Sequence, residues 1–105
     1  MTVFSYKQLY SFTESVFLAM GCSAQDASTA TKVLIAADLR GIDSHGVARL
    51  SGYVRLWEAG RINATPNLSI VHETPSTAVV DGDAGLGLVV APYAMQIAID
   101  KAKQV

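Results

Sequence analysis

Gly21, Gly41 and Gly60 each end a stretch of helical hydrophobic spacing, and this punctuation constrains the fold of the 105-residue chain more than any other feature. The first stretch opens with "SYKQ", Ser5 to Gln8, a capping-box pattern in which the serine oxygen accepts from the third backbone amide and the glutamine reaches back. Leu9, Phe12, Val16 and Met20 then recur at helical spacing up to Gly21. The second, "CSAQDASTATKVLIAADLRG", repeats the grammar with Ser23 as N-cap, Ala27, Ala30, Leu34 and Ala37 on one face, and Gly41 as stop. Its alanines predict close helix–helix approach. A third helix is expected to start at Asp43 or Ser44 and to end at Gly60.

After Gly60 the pattern changes. "INATPN" is polar and carries a proline, and "LSIVHE" and "STAVVDG" are β-branched runs divided by "TP", which predicts two short strands. "DGDAGLG" supplies turn residues before a last helix from about Leu88, with Pro92 tolerated only in its first turn. The expected class is α+β: three helices, two short strands and a helix.

Eight basic and nine acidic residues leave the chain near neutral, which argues against nucleic acid or an anionic membrane surface as partner. A single cysteine excludes a disulfide scaffold and fits a reducing compartment. No run approaches the roughly 20 apolar residues of a membrane span, and the N-terminus lacks a signal pattern, so a cytoplasmic location is expected. Charged residues make up 16%, against about 25% in an average domain. A small domain has more surface per residue to keep wet, so this chain is expected to hide apolar surface against something it does not contain. "APYAMQIAIDKAKQV" keeps a helical pattern to its last residue, which reads as the N-terminal portion of a longer enzyme.

The chemistry gathers in "DSHGVARLSGYVRLWEAG", residues 43 to 60. On a continuous helix, steps of four advance only about 40°, so His45, Arg49 and Tyr53 would share one face, with Val47, Leu50, Val54 and Trp57 packed on the other. In a first turn, the helix dipole would favour a neutral His45 imidazole, suited to general acid–base work. Ser44 would orient the ring, relay a proton, or serve only as a cap. Arg49 offers a planar fork for a carboxylate, and Tyr53 adds a hydroxyl. A proton-handling group beside a carboxylate-binding group suits a 2-hydroxy or 2-keto acid. The bland alternative is a cap with its neighbour and a solvated or interface Arg–Tyr pair.

"GLGLVV", Gly85 to Val90, imitates the start of the dinucleotide fingerprint but has valine at the sixth position. It reads as a tight turn whose glycines take unusual backbone angles, in preference to a phosphate site. His72 is expected at an edge or surface, Cys22 to be inert, and no metal-ligand spacing is present.

"DLRGIDSHGVARLSGYVRLWEAGRI" together with "VVDGDAGLGLVVAPYAMQIAIDKAK" resembles the N-terminal part of the type 2 malate/L-lactate dehydrogenase family, over nearly the whole chain from about Ser5. The resemblance implies an NAD(P)-dependent oxidoreductase of non-Rossmann fold, a homodimer interconverting 2-hydroxy and 2-keto acids. It implies that His45 gives or takes the proton of the substrate oxygen, that Ser44 acts in a relay, that Arg49 holds the carboxylate and that Tyr53 lines the pocket. Members continue through a second histidine-bearing motif, most of the nicotinamide site and a closing helical region, none of which lies in 105 residues. The expectation is an active intact enzyme and an inactive fragment, with residues 1–61 a helical region carrying the Ser-His-Gly motif and residues 62–105 the start of an α/β cofactor and substrate domain. The alternatives are a non-catalytic helical dimerisation or interaction module, and an independent nucleotide-binding domain built on "DAGLGLVV".

Overall fold

The computed structural model describes residues 2–105. Its elements run α1 (Tyr6–Ala19), α2 (Ala24–Leu39), two 3-10 turns (Asp43–His45 and Val47–Arg49), α3 (Leu50–Glu58), β1 (Ser69–Thr74), β2 (Thr77–Asp81) and α4 (Gly87–Ala102). The three helix-ending glycines have positive φ, 99° at Gly21 and 73° at Gly41 and Gly60. Each closes its helix with the same two backbone bonds; the Gly60 amide donates to the Trp57 carbonyl and the Arg61 amide to the Leu56 carbonyl, both at 2.9 Å. Ser5 and Ser23 cap the first two helices, accepting from the amides of Gln8 at 3.2 Å and Asp26 at 3.1 Å. The Gln8 side chain accepts from the Ser5 hydroxyl instead of reaching the Ser5 amide.

One core forms where α1, α2, α3 and the start of α4 meet, around Phe17, Met20, Ala27, Ala30, Leu34, Leu50, Leu86 and Val89. Ala27, Ala30 and Leu34 are buried as their spacing predicts, and Ala37 is half-buried. On α1 the buried face is rotated from the expected one. Phe12 is 61% exposed, whereas Thr13 and Phe17 are fully buried. Thr13, Phe17 and Met20 have the same helical spacing, and the small Thr13 fits the close approach that the α2 alanines permit.

The third helix departs from expectation at its start. Residues 43–49 form two 3-10 turns broken at Gly46, which is extended at φ −93° and ψ −147°, and α3 begins only at Leu50. Its apolar side is as expected: Leu50 is buried, and Val47, Val54 and Trp57 pack against the core.

β1 and β2 pair antiparallel, from Ser69 opposite Asp81 to Thr74 opposite Thr77, with an irregularity between Ile70 and His72. α4 begins at Gly87, and Pro92 is its sixth residue, beyond the first turn expected for it. The missing proline amide leaves the Leu88 carbonyl without its helical partner. The helix carries that loss because Leu86 and Val89 anchor its start in the core and the amides of Val89 and Val90 both donate to the Leu86 carbonyl at 2.9 Å. Its far end is tied to the hairpin by Lys101, whose Nζ donates to Glu73 Oε2 at 2.8 Å and to the Thr74 carbonyl at 2.7 Å. Among the described residues, no helix is long and apolar enough to cross a membrane.

Candidate active site

The break that separates Ser44 and His45 from α3 originates in α2. Asp38 lies in the last turn of that helix, where the carbonyl end disfavours a carboxylate by roughly 0.3–1 kcal/mol. Its Oδ2 accepts from the Val47 amide at 2.9 Å. The same carboxylate occupies the place where a Cβ on residue 46 would stand, and Gly46 is buried beneath it. Asp38 was not among the residues singled out from sequence. The signal available was its charge, since an acid at the unfavourable end of a helix needs another partner.

His45 therefore ends a three-residue 3-10 turn instead of opening a helix. The expected single face is corrected accordingly: His45 and Tyr53 lie on different elements, and there is no helix N-terminus at His45 for a dipole argument to act through. Arg49 joins the two segments. Its Nε donates to the Ser44 carbonyl at 2.6 Å, across the Gly46 break, and its terminal Nη groups make no hydrogen bond among the described residues. Ser44 Oγ lies 2.8 Å from His45 Nδ1. A hydroxyl both donates and accepts, so it can partner either neutral tautomer of the ring. With Nδ1 protonated, Nε2 is a free base; with Nδ1 accepting from the serine, Nε2 carries the proton.

Arg49 and Tyr53 meet in an open depression of about 580 Å³ along α3, walled also by Gly52, Arg55, Leu56, Ala59 and Arg61. His45 is not among its walls. The structure thus brings together Ser44 with His45, Ser44 with Arg49, and Arg49 with Tyr53, so that Ser44 and Arg49 each belong to two of the three pairs. Tyr53 is half-buried, its ring packed against the core. Arg55 is engaged by Ser51, donating from Nε to its carbonyl at 3.4 Å and from Nη2 to its hydroxyl at 3.3 Å. Among the described residues no carboxylate forms an ion pair with any of the three arginines.

The glycine turn before α4 does not offer a dinucleotide cradle. Positive φ falls on Asp83 (51°) and Ala84 (56°), not on Gly85 or Gly87, correcting the expectation of unusual glycine angles. Gly85 is needed for a different reason: a Cβ there would stand 2.8 Å from Pro66 Cγ and 3.0 Å from the Gly82 carbonyl oxygen. Pro66 packs against Gly85 on the side a Cβ would take, and the Gly85 amide already donates to the Gly82 carbonyl at 2.8 Å. Asn63 and Asp83 lock the turn, with Asp83 Oδ2 accepting from the Asn67 amide at 2.8 Å and from Asn63 Nδ2 at 3.1 Å.

His72 is exposed on β1, as expected. Cys22 is buried, and its thiol pKa is raised by that burial and, to a lesser degree, by the Asp26 charge. No group of three His, Cys, Asp or Glu that could hold a metal ion gathers among the described residues.

The chain is similar to known proteins over most of its length. The malate dehydrogenase of Pyrococcus abyssi is 46% identical over 97 residues, which make up 92% of this chain and 27% of that protein. The L-sulfolactate dehydrogenase of Methanocaldococcus jannaschii is 46% identical over 90 residues, 86% of this chain and 26% of its own length. The structure of malate dehydrogenase from Pyrococcus horikoshii superposes with a TM-score of 0.90 at 42% identity, covering 94% of this chain and 28% of that one. The chain thus spans about a quarter of the length of these relatives. The family model described as malate/L-lactate dehydrogenase matches residues 4–105, a span that holds the Ser44–His45 pair, Arg49 and the glycine turn alike, and the chain belongs to the malate/L-lactate dehydrogenase family.

Proposed function

We propose that this chain supplies the proton-handling and carboxylate-binding groups of an NAD(P)-dependent dehydrogenase that interconverts a 2-hydroxy acid and a 2-keto acid, and that it is inactive alone. The observation that carries the reading is the linked set at Ser44: its hydroxyl on His45 Nδ1 at 2.8 Å and its carbonyl on Arg49 Nε at 2.6 Å. In oxidation, His45 Nε2 takes the hydroxyl proton of the substrate while Ser44 accepts from Nδ1. In reduction, the doubly protonated ring returns the Nε2 proton to the keto oxygen while Nδ1–H still donates to Ser44, which restores the neutral Nδ1–H tautomer. The free Nη groups of Arg49 bind the substrate carboxylate, and Tyr53 lines the pocket beside it. A nicotinamide cofactor, NAD or NADP, supplies the hydride in such enzymes, and these residues do not form its site.

Malate and sulfolactate, the acids named for the two relatives, both carry a 2-hydroxyl beside a carboxylate, which fits this pairing. In this reading residues 1–61 are the helical region carrying the Ser-His-Gly motif, and residues 62–105 start the α/β cofactor and substrate domain. The working form is a cytoplasmic homodimer, an assignment that light scattering on the complete enzyme tests. The alternative of a helical interaction module draws on exposed apolar side chains such as Phe4 and Phe12.

The deciding assay is NAD(P)H oxidation by the full-length dehydrogenase containing this sequence, against a panel of 2-keto acids including oxaloacetate and pyruvate, with the 105-residue chain beside it. Turnover by the first and silence from the second is expected. His45→Ala is expected to lower turnover by about 10²–10⁴-fold, the usual contribution of a positioned acid–base group. A His45→Ala enzyme with normal turnover, or a folded full-length protein with none, overturns the reading.

A further inference from the structure

We propose that Asp38 is a positioning residue for the reaction, setting His45 in register with Arg49; this rests on the roles given to those two residues above. The need for register is chemical. In a 2-hydroxy acid the reacting oxygen and the carboxylate sit on adjacent carbons, so the group that moves the proton and the group that grips the carboxylate must keep a fixed separation. His45 and Arg49 end two separate 3-10 turns, and no continuous helix holds them together. The joint between the turns is Gly46.

Three observations place Asp38 in control of that joint. Its Oδ2 accepts from the Val47 amide at 2.9 Å, fixing the first residue of the turn that carries Arg49. Its carboxylate covers Gly46 so closely that a Cβ on residue 46 would collide with it. Gly46 has φ −93°, outside the left-handed region, so the glycine is required by the neighbouring carboxylate and not by its own backbone angle. Opposite this clamp, the Arg49 Nε bond to the Ser44 carbonyl closes the loop at 2.6 Å. Among the described residues Asp38 makes no hydrogen bond or ion pair with His45 or Arg49. It fixes the pivot about which both would otherwise turn.

The test is steady-state kinetics of the full-length dehydrogenase with Asp38→Ala and Asp38→Asn, each checked for folding by circular dichroism and thermal melting. Asp38→Ala removes the acceptor and is expected to lower kcat/KM by about 10- to 100-fold, mostly through kcat, because a small misplacement of reacting groups is felt in the chemical step. Asp38→Asn keeps an oxygen that can accept from Val47 and is expected to stay within a few-fold of wild type. A merely structural residue would lower the melting temperature and the folded yield while leaving kcat per folded enzyme unchanged. A folded Asp38→Ala enzyme with normal kcat overturns the proposal, as does an Asp38→Asn enzyme as impaired as Asp38→Ala. If Asp38→Ala does not fold, Asp38→Glu replaces it: the longer side chain shifts the carboxylate against Gly46, so kcat is expected to fall while Asp38→Asn holds. Equal kcat in Asp38→Glu and Asp38→Asn overturns the proposal. A wild-type enzyme silent on every 2-keto acid would instead overturn the dehydrogenase reading, so the two failures are separate.

Discussion

The Nε–H of Arg49 donates to the backbone carbonyl of Ser44 at 2.6 Å, tying the carboxylate-binding fork to the residue whose hydroxyl touches His45. A lysine cannot make this bond and also present two parallel donors to a carboxylate. Arg49→Lys is therefore expected to raise KM for the 2-keto acid by about 10- to 100-fold, corresponding to the roughly 1.5–3 kcal/mol of a hydrogen bond to a charged group. It is also expected to lower kcat, since His45 loses its tether. Steady-state kinetics separates the two effects, and an unchanged KM would move carboxylate binding elsewhere.

The two glycines of "GLG" are expected to respond oppositely to alanine. At Gly85 a Cβ meets Pro66 and the Gly82 carbonyl, and overpacking of this kind costs about 1–3 kcal/mol. At Gly87, the first residue of α4, a Cβ meets nothing within 4 Å, and alanine is the better helix former by about 1 kcal/mol. Thermal melts of the two variants should fall on opposite sides of wild type. A Gly85→Ala protein as stable as wild type would show that the Pro66 contact yields freely.

What was legible in the sequence was local, and what was not legible was set across the chain. Gly21, Gly41 and Gly60 close helices through bonds within six residues, so composition alone located the stops. The Ser-His pair, Arg49 and Tyr53 were legible as residue types with suitable chemistry. Their arrangement was not, because the break at Gly46 comes from a carboxylate eight residues earlier in a different helix. Gly85 likewise answers to Pro66, nineteen residues upstream, as well as to the Gly82 carbonyl of its own turn. Phe12 was placed in the core because it is apolar, yet the helix contact selected Thr13 for its size.

Cys22 gives a pH-dependent expectation. Burial, and then Asp26, raise the thiol above its ordinary pKa, so the unfolded chain releases the proton first as pH rises. The thiol's contribution to stability is complete below its ordinary pKa and is lost as pH climbs towards the raised folded value. Denaturant melts across that alkaline window should show falling stability, flattened in Cys22→Ala. The native thiol should also react slowly with a disulfide reagent at neutral pH and quickly once unfolded. Fast native reaction would mean that the site opens.

Thr13 and Thr31 are both fully buried, and among the described residues neither Oγ1 has a hydrogen-bond partner. A buried hydroxyl left unpaired costs about 1–3 kcal/mol, whereas valine keeps the branched shape without the polar atom and has similar helix propensity. Thr31→Val is expected to stabilise the protein by about 1 kcal/mol, a rise of about 4–8 °C in Tm for a domain of this size. Thr31→Ser should do the reverse, because it retains the hydroxyl and deletes a buried methyl group, leaving a cavity. The order Val above Thr above Ser in Tm is the signature of an unsatisfied hydroxyl. If Thr31→Val melts below wild type, the hydroxyl is instead paired in solution, with water or a helix carbonyl, and the close contact of α1 with α2 owes part of its stability to that bond.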